Sequence, residues 1–351
     1  MSSAVRDQRL DVARGAAILA IVVVHVVRGL NSAGVVDVGV KEMVDRSVGL
    51  WCLSVFAFVG GTFIPRAVEK RTMSAYLRDR VVRLLAVYLL WTVMQGSIQL
   101  LAGDSLNNDK SIIRVFQVWQ PDGHLWYLPF LVLATVIFVP IRPWLPRRGV
   151  PVLVLGAVIS LIWWGYDGGY IGTQGLGLVV FFVAGIVTGT AKVQGALDRV
   201  PVPVAAVVSV AVLVLTAVIC VQTTAILPTY YWFQATPERI AVGVVLALMA
   251  SAAILLFGHA ARAVTFLALC GRRSLDIYLA HIILASGTRI VLLKLGIDQL
   301  WLIVGLCLLA GVLGSLAVST ACRRLRLGWV FDGPGFTMPT RVRRRPNHAG
   351  S

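Results

Sequence analysis

Arg14 and His25 stand eleven residues apart in one apolar run near the N-terminus. At about 100° per residue this is three turns plus roughly 20°, which puts both on one helical face, roughly 16 Å apart along the axis. Asp11 and Arg28 fall on that face too, within an arc of about 100°. Polar groups at such depth are costly in lipid, and by default they face a cavity or a functional path. Histidine titrates near neutral pH, so a neutral His25 is a natural base for taking a proton from a hydroxyl. It is also a nucleophile able to carry an acyl group itself. Arginine forms two-pronged pairs with phosphate, the chemistry of an anion-binding entrance.

Two further groups carry chemistry. Ser274, Tyr278 and His281 are spaced i, i+4 and i+7 in a late apolar run and share one side of a helix. They line the same cavity or form an interhelical hydrogen-bond set. His124 stands beside Trp126 and Tyr127. That position reads as the outer mouth of the protein, where the aromatics stack on a sugar or belong to an interfacial belt. The cysteines Cys52, Cys220, Cys270, Cys307 and Cys322 are scattered without C-x-x-C spacing. They read as small buried hydrophobes, and no metal site is expected.

The elements that position these residues follow from composition. Of the 351 residues, 58% are hydrophobic and 14% are charged, against about 25% charged in a soluble domain. This excludes an ordinary cytosolic enzyme, a disordered chain and a coiled coil. A membrane-crossing helix needs about 20 apolar residues. Apolar stretches fall at about 13–31, 47–65, 81–101, 125–141, 149–165, 175–190, 200–221, 239–257, 275–293 and 300–321. The expected fold is therefore an all-α polytopic membrane protein of about ten spans, with the fourth to sixth short. Residues 260–271 are too short to span and are expected along the interface. The first run, preceded by Arg6, Arg9 and Arg14, reads as a retained signal anchor. The membrane domain is expected to cover 1–327 and a basic cytoplasmic tail 328–351.

Lys and Arg number 32 against 16 Asp and Glu, a net charge of +16. Because the basic residues lie between apolar runs, they read as topogenic charge rather than as a nucleic-acid surface. With the N-terminus inside, 24 of the 32 fall on inner segments. Both ends are then cytoplasmic and the number of spans is even. The arginine-rich tail from Arg341 to Arg345 reads as solvated topogenic charge, with anionic lipid as the other reading. The preference for Arg over Lys, with abundant Ala and Val, suggests a bacterial cell membrane. Nothing in the sequence sets an oligomeric state.

The string Arg9-Leu10-Asp11-Val12-Ala13-Arg14-Gly15, continued through His25, resembles the start of the acyltransferase-3 family of integral membrane acyltransferases. Gly123-His124-Leu125-Trp126-Tyr127-Leu128 is similar to the family's H-x-W-[FY]-L stretch, and Arg273 to His281 to its late S-x-x-x-Y-L-x-H stretch. Arg80 and Arg83 resemble the family's arginines before the third span. Two features depart from the pattern. Phe58-Val59-Gly60-Gly61 lacks the serine often found before glycine at the end of the second span, and no proline follows the third-span arginines.

The resemblance implies a membrane O-acyltransferase. It would move an acyl group, acetyl first among them, from cytoplasmic acyl-CoA to a hydroxyl of a glycan, a sugar-bearing lipid or a glycosylated small molecule. It implies His25 as base and Arg14 as the second catalytic residue of the same span. Arg14, Arg80 and Arg83 would lie toward the CoA phosphates, although Arg78 and Arg80 read more readily as topogenic charge. Asp11, His124, Trp126, Ser274, Tyr278 and His281 would line the substrate cavity. The competing reading is a transporter or flippase. Against it, no acidic residue lies clearly at mid-membrane and no inverted repeat is visible.

Overall fold

The computed structural model describes residues 7–102, 117–121 and 123–334. The tail arginines Arg341 to Arg345 and the N-terminal Arg6 lie outside the described residues. Every regular element among the described residues is helical. Eight helices are long and apolar enough to cross a membrane. These are α1 (Arg9–Ser32), α2 (Val38–Glu69), α3 (Met73–Leu101), α6 (Leu176–Asp198), α7 (Val202–Thr223), α8 (Pro237–Ala260), α10 (Ser274–Lys294) and α11 (Leu300–Arg324). Between them lie the short apolar helices α4 (Tyr127–Phe138) and α5 (Gly149–Ile162), α9 (Thr265–Arg272) and α12 (Trp329–Asp332).

All ten expected stretches are helical, but two differ in length from a full span. Helix α4 has 12 residues and α5 has 14, about 18 and 21 Å at 1.5 Å per residue. That is shorter than a hydrocarbon core of about 30 Å. The sixth stretch is longer than its apolar run suggested. Helix α6 continues to Asp198 past Gly189, whose φ of 66° kinks it.

The chain is layered around α1. In its span 72% of the residues are buried inside the bundle, against 22% for α7. Helix α7 is rich in valine and turns Val207, Val210, Val214 and Val221 outward, as suits a surface that meets lipid tails rather than water. Helix α1 is held at backbone distance. A Cβ on Gly15 would sit 2.0 Å from the Leu267 carbonyl oxygen, and one on Gly271 would sit 1.8 Å from that of Asp11. Only glycine allows so close a crossing, the usual device of helix pairs in lipid. The segment 260–271, expected along the interface, thus holds the amphipathic α9 from Thr265 onward. It buries Ala268, Cys270 and Gly271 against α1 and leaves Phe266 and Leu269 outward.

A second glycine crossing joins α2 to α6, where Gly61 faces the Phe182 carbonyl and Gly185 that of Phe58. It lies at the point where the expected hydroxyl is missing. Gly60 beside it opens onto a cavity. The loop between α7 and α8 turns inward, with Ala225, Ile226 and Leu227 buried and the Ile226 carbonyl accepting from Trp164 Nε1 at 2.9 Å. It ends where Thr236 caps α8 by accepting from the Arg239 N–H, with Pro237 as the first helical residue. Helix α12 returns to α3, where Trp91 Nε1 donates to the Val330 carbonyl.

Candidate active site

Helices α1 and α10 cross so that His25 and His281 come together, and the turn before α4 inserts His124 between them. The ring centroids stand 5.1 Å apart for His25 and His281, 4.9 Å for His124 and His281, and 5.9 Å for His25 and His124. His25 Nδ1 lies 2.9 Å from the Ile21 carbonyl. A carbonyl oxygen only accepts, so the ring proton belongs on Nδ1 and the lone pair on Nε2. His281 is fixed in the same way by the carbonyls of Ile277 and Tyr278, at 2.9 and 2.7 Å. Tyr278 donates its hydroxyl to the His124 carbonyl. His124 and His281 are buried, whereas His25 is partly open and lines a cavity.

Two cavities approach this cluster from opposite ends of the bundle. One, of about 380 Å³, is lined by Arg14, Phe56, Gly60, Arg80, Ser274 and the two tyrosines Tyr127 and Tyr278. In it Arg14 Nη2 donates to Ser274 Oγ at 2.7 Å, and its guanidinium lies 5.7 Å from the centre of the Phe56 ring. The other, of about 550 Å³, is lined by His25, Arg28, His124, Trp126 and Tyr230, and again by Tyr127 and Tyr278. The two tyrosines are thus a shared wall.

A third space, of about 530 Å³, shares Phe63, Arg80, Leu84 and Leu275 with the first cavity and extends it outward. Its charged lining is Arg66, Lys70, Arg71, Arg80 and Arg83 against the single acid Asp79. Asp79 accepts from Arg71 at 3.0 Å and from Arg83 at 3.2 Å. Arg80 is held by Thr135 Oγ1 at 3.3 Å. Five cations against one acid make this mouth attractive to a polyanion.

The sequence-based site residues mostly converge, with four corrections. His124 does not lie at an outer mouth. It is 3% exposed, because the residues ahead of α4 fold into the bundle and Tyr278 anchors their backbone. Asp11 and His281 line none of the three cavities. Asp11 is buried where its backbone carbonyl meets Gly271, and His281 is fully buried against the His25 and His124 rings. Arg80, read chiefly as topogenic, lines both spaces of the basic side. Trp126 does face the His25 cavity, and Ser274 and Tyr278 line cavities as expected.

Sequence reasoning gave no weight to Phe56, to the wall role of Tyr127, or to Asp45, which is fully buried and binds Arg28. Asp45 lies early in α2, beside Lys41 and Glu42 and ahead of the apolar stretch at 47–65, so its neighbours in sequence gave no signal of its burial. Among the described residues, no three His, Cys, Asp or Glu side chains are grouped as metal ligands.

A family model described as an acyltransferase domain matches residues 7–320, and so includes every one of these site residues. No curated protein and no solved structure matches the chain.

Proposed function

Because the chain belongs to the acyltransferase-3 family, we propose that it moves an acyl group, acetyl first among them, from acyl-CoA in the basic cavity to a hydroxyl in the His25 cavity. The observation that carries this reading is the shared wall, two cavities from opposite ends meeting at Tyr127 and Tyr278 beside the histidine cluster. The five cations of the outer space suit the phosphates of CoA. Arg14 and Ser274 lie further in, along the route of the pantetheine arm.

The acceptor is the hydroxyl of a glycan, a sugar-bearing lipid or a glycosylated small molecule. His25 Nε2 takes the hydroxyl proton while the hydroxyl oxygen bonds to the thioester carbonyl carbon. The carbon–sulfur bond then breaks, and the proton passes to the departing sulfur, giving an ester and free CoA thiol. His25 suits the base role better than its neighbours because it alone of the three rings combines a carbonyl-fixed Nδ1 with an opening to the cavity. The His281 ring packs edge-on against His25.

On this reading the basic cavity and the N-terminus face the cytoplasm of a bacterial cell, and the His25 cavity faces outward. The CoA head then stays inside while the acceptor approaches from the other side. Cysteines introduced near Arg71 should be shielded from a membrane-impermeant reagent added outside, and labelling there would reverse the orientation. The activity itself is tested with membranes bearing the protein and radiolabelled acetyl-CoA. Envelope glycan should gain label with release of CoA thiol. A flippase with these two cavities would instead move its substrate across with the thioester intact.

A further inference from the structure

Arg28 follows His25 by three residues on α1 and lines the same cavity. Neighbours at that spacing have Cβ atoms about 5–6 Å apart, so a group bound by Arg28 lies within about one sugar ring of a hydroxyl at His25. The side chain is held with care. Its Nε donates to Asp45 at 2.7 Å, and the guanidinium lies 4.6 Å from the centre of the Tyr230 ring. Asp45 is fully buried and shared three ways, also reached by Lys41 Nζ at 3.4 Å and by the Tyr231 hydroxyl at 3.1 Å. Burial, with Asp45 beside it, pushes the Tyr231 phenol well above its ordinary range, so it stays a donor. Asp45 therefore balances one of two cations and has no acceptor capacity directed elsewhere.

Among the described residues, the Arg28 side chain makes no hydrogen bond beyond Asp45, which leaves its two Nη groups for a ligand. Asp45 itself does not line the cavity; the acid that does, Asp167, is exposed. Arginine fixed on an aromatic face with a free fork matches carboxylate or phosphate better than a neutral sugar.

We propose that Arg28, positioned by Asp45 and Tyr230, recognises an anionic substituent on the acceptor, a carboxylate or a phosphoryl group within about one sugar unit of the hydroxyl that is acylated. This rests on the reading of the His25 cavity as the acceptor side. Binding is the chosen measurement because it needs no acyl transfer, so the two readings can fail separately.

Purified full-length protein in detergent is titrated calorimetrically with methyl glucoside, methyl glucuronide and glucose 1-phosphate. The anionic probes should bind at least about tenfold more tightly than the neutral one, the usual worth of a charge-assisted bond. The stronger of the two anions identifies the substituent. Arg28→Gln should remove that preference and Arg28→Lys should restore part of it. Equal affinities for all three probes, binding of none of them, or a preference that survives Arg28→Gln would each overturn the proposal. A His25→Gln protein should keep the preference while losing transfer.

Discussion

The two cavities that meet at Tyr127 and Tyr278 are built on different principles. On the Arg14 side the polar groups are long cations from α1, α2 and α3, set against one acid and partly open to solvent. On the His25 side they are imidazoles, with the His25 and His281 rings fixed by backbone carbonyls of their own helices and the backbone of His124 held by Tyr278. The first arrangement suits a flexible polyanion that must enter and leave. The second suits proton transfer, where a misplacement of about 1 Å can cost two orders of magnitude. Substitutions on the two sides should therefore alter different kinetic constants.

The largest effect is expected at His25. His25→Gln should lower transfer by about 10²–10⁴-fold, the usual contribution of a positioned base, with the donor KM unchanged and insertion normal. Steady-state kinetics on membranes would show this. A rise in donor KM with kcat intact would erase the contrast between the sides. Next comes Arg14→Ala, for which the donor KM should rise about tenfold or more as one charge-assisted pair is lost, leaving kcat little changed. Arg83→Ala should do less, because Asp79 already engages Arg83 and its side chain is 44% exposed.

Gly271→Ala acts on both sides together. Its Cβ would meet the Asp11 carbonyl at 1.8 Å and push α9 off α1. Thermal unfolding in detergent should report a loss of about 1–3 kcal/mol, and both constants should suffer. The smallest effect is expected at Ser274→Ala, which removes the Arg14 hydrogen bond. A neutral partner of this kind is worth about 0.5–1.5 kcal/mol, so the donor KM should rise two- to tenfold, short of the Arg14→Ala change. A Ser274→Ala change in acceptor KM instead would place that residue on the other side of the wall.

Much of this site could be read from spacing along single helices. Arg14 and His25 share a face of α1, and Ser274, Tyr278 and His281 share one of α10, because helical geometry alone sets those neighbours. Contacts between helices were not legible in the same way. That His124 enters the cluster depends on how the turn before α4 folds inward, which its local sequence, ending in two aromatics, does not distinguish from a mouth at the membrane surface. Asp11 lies on the polar stripe, yet α9 packs against its backbone through Gly271. The ten apolar stretches all became helices, while hydropathy could not show that α4 and α5 stop short of a full span or that α6 runs on through Gly189.

Tyr127 and Tyr278 also decide how well the membrane insulates. Polar cavities reach them from both ends of the bundle, and each tyrosine is only 4% exposed. Carrying one elementary charge across 100 mV releases about 2.3 kcal/mol, so a water column joining the two cavities would shunt the gradient the cell lives on. The two phenols close that column with rings, and the hydroxyl of Tyr278 is committed to the His124 carbonyl rather than to a chain of water. Vesicles carrying Tyr278→Ala should dissipate an imposed proton gradient faster than vesicles carrying the unaltered protein, a toll on the host that is independent of whether any acyl group is moved.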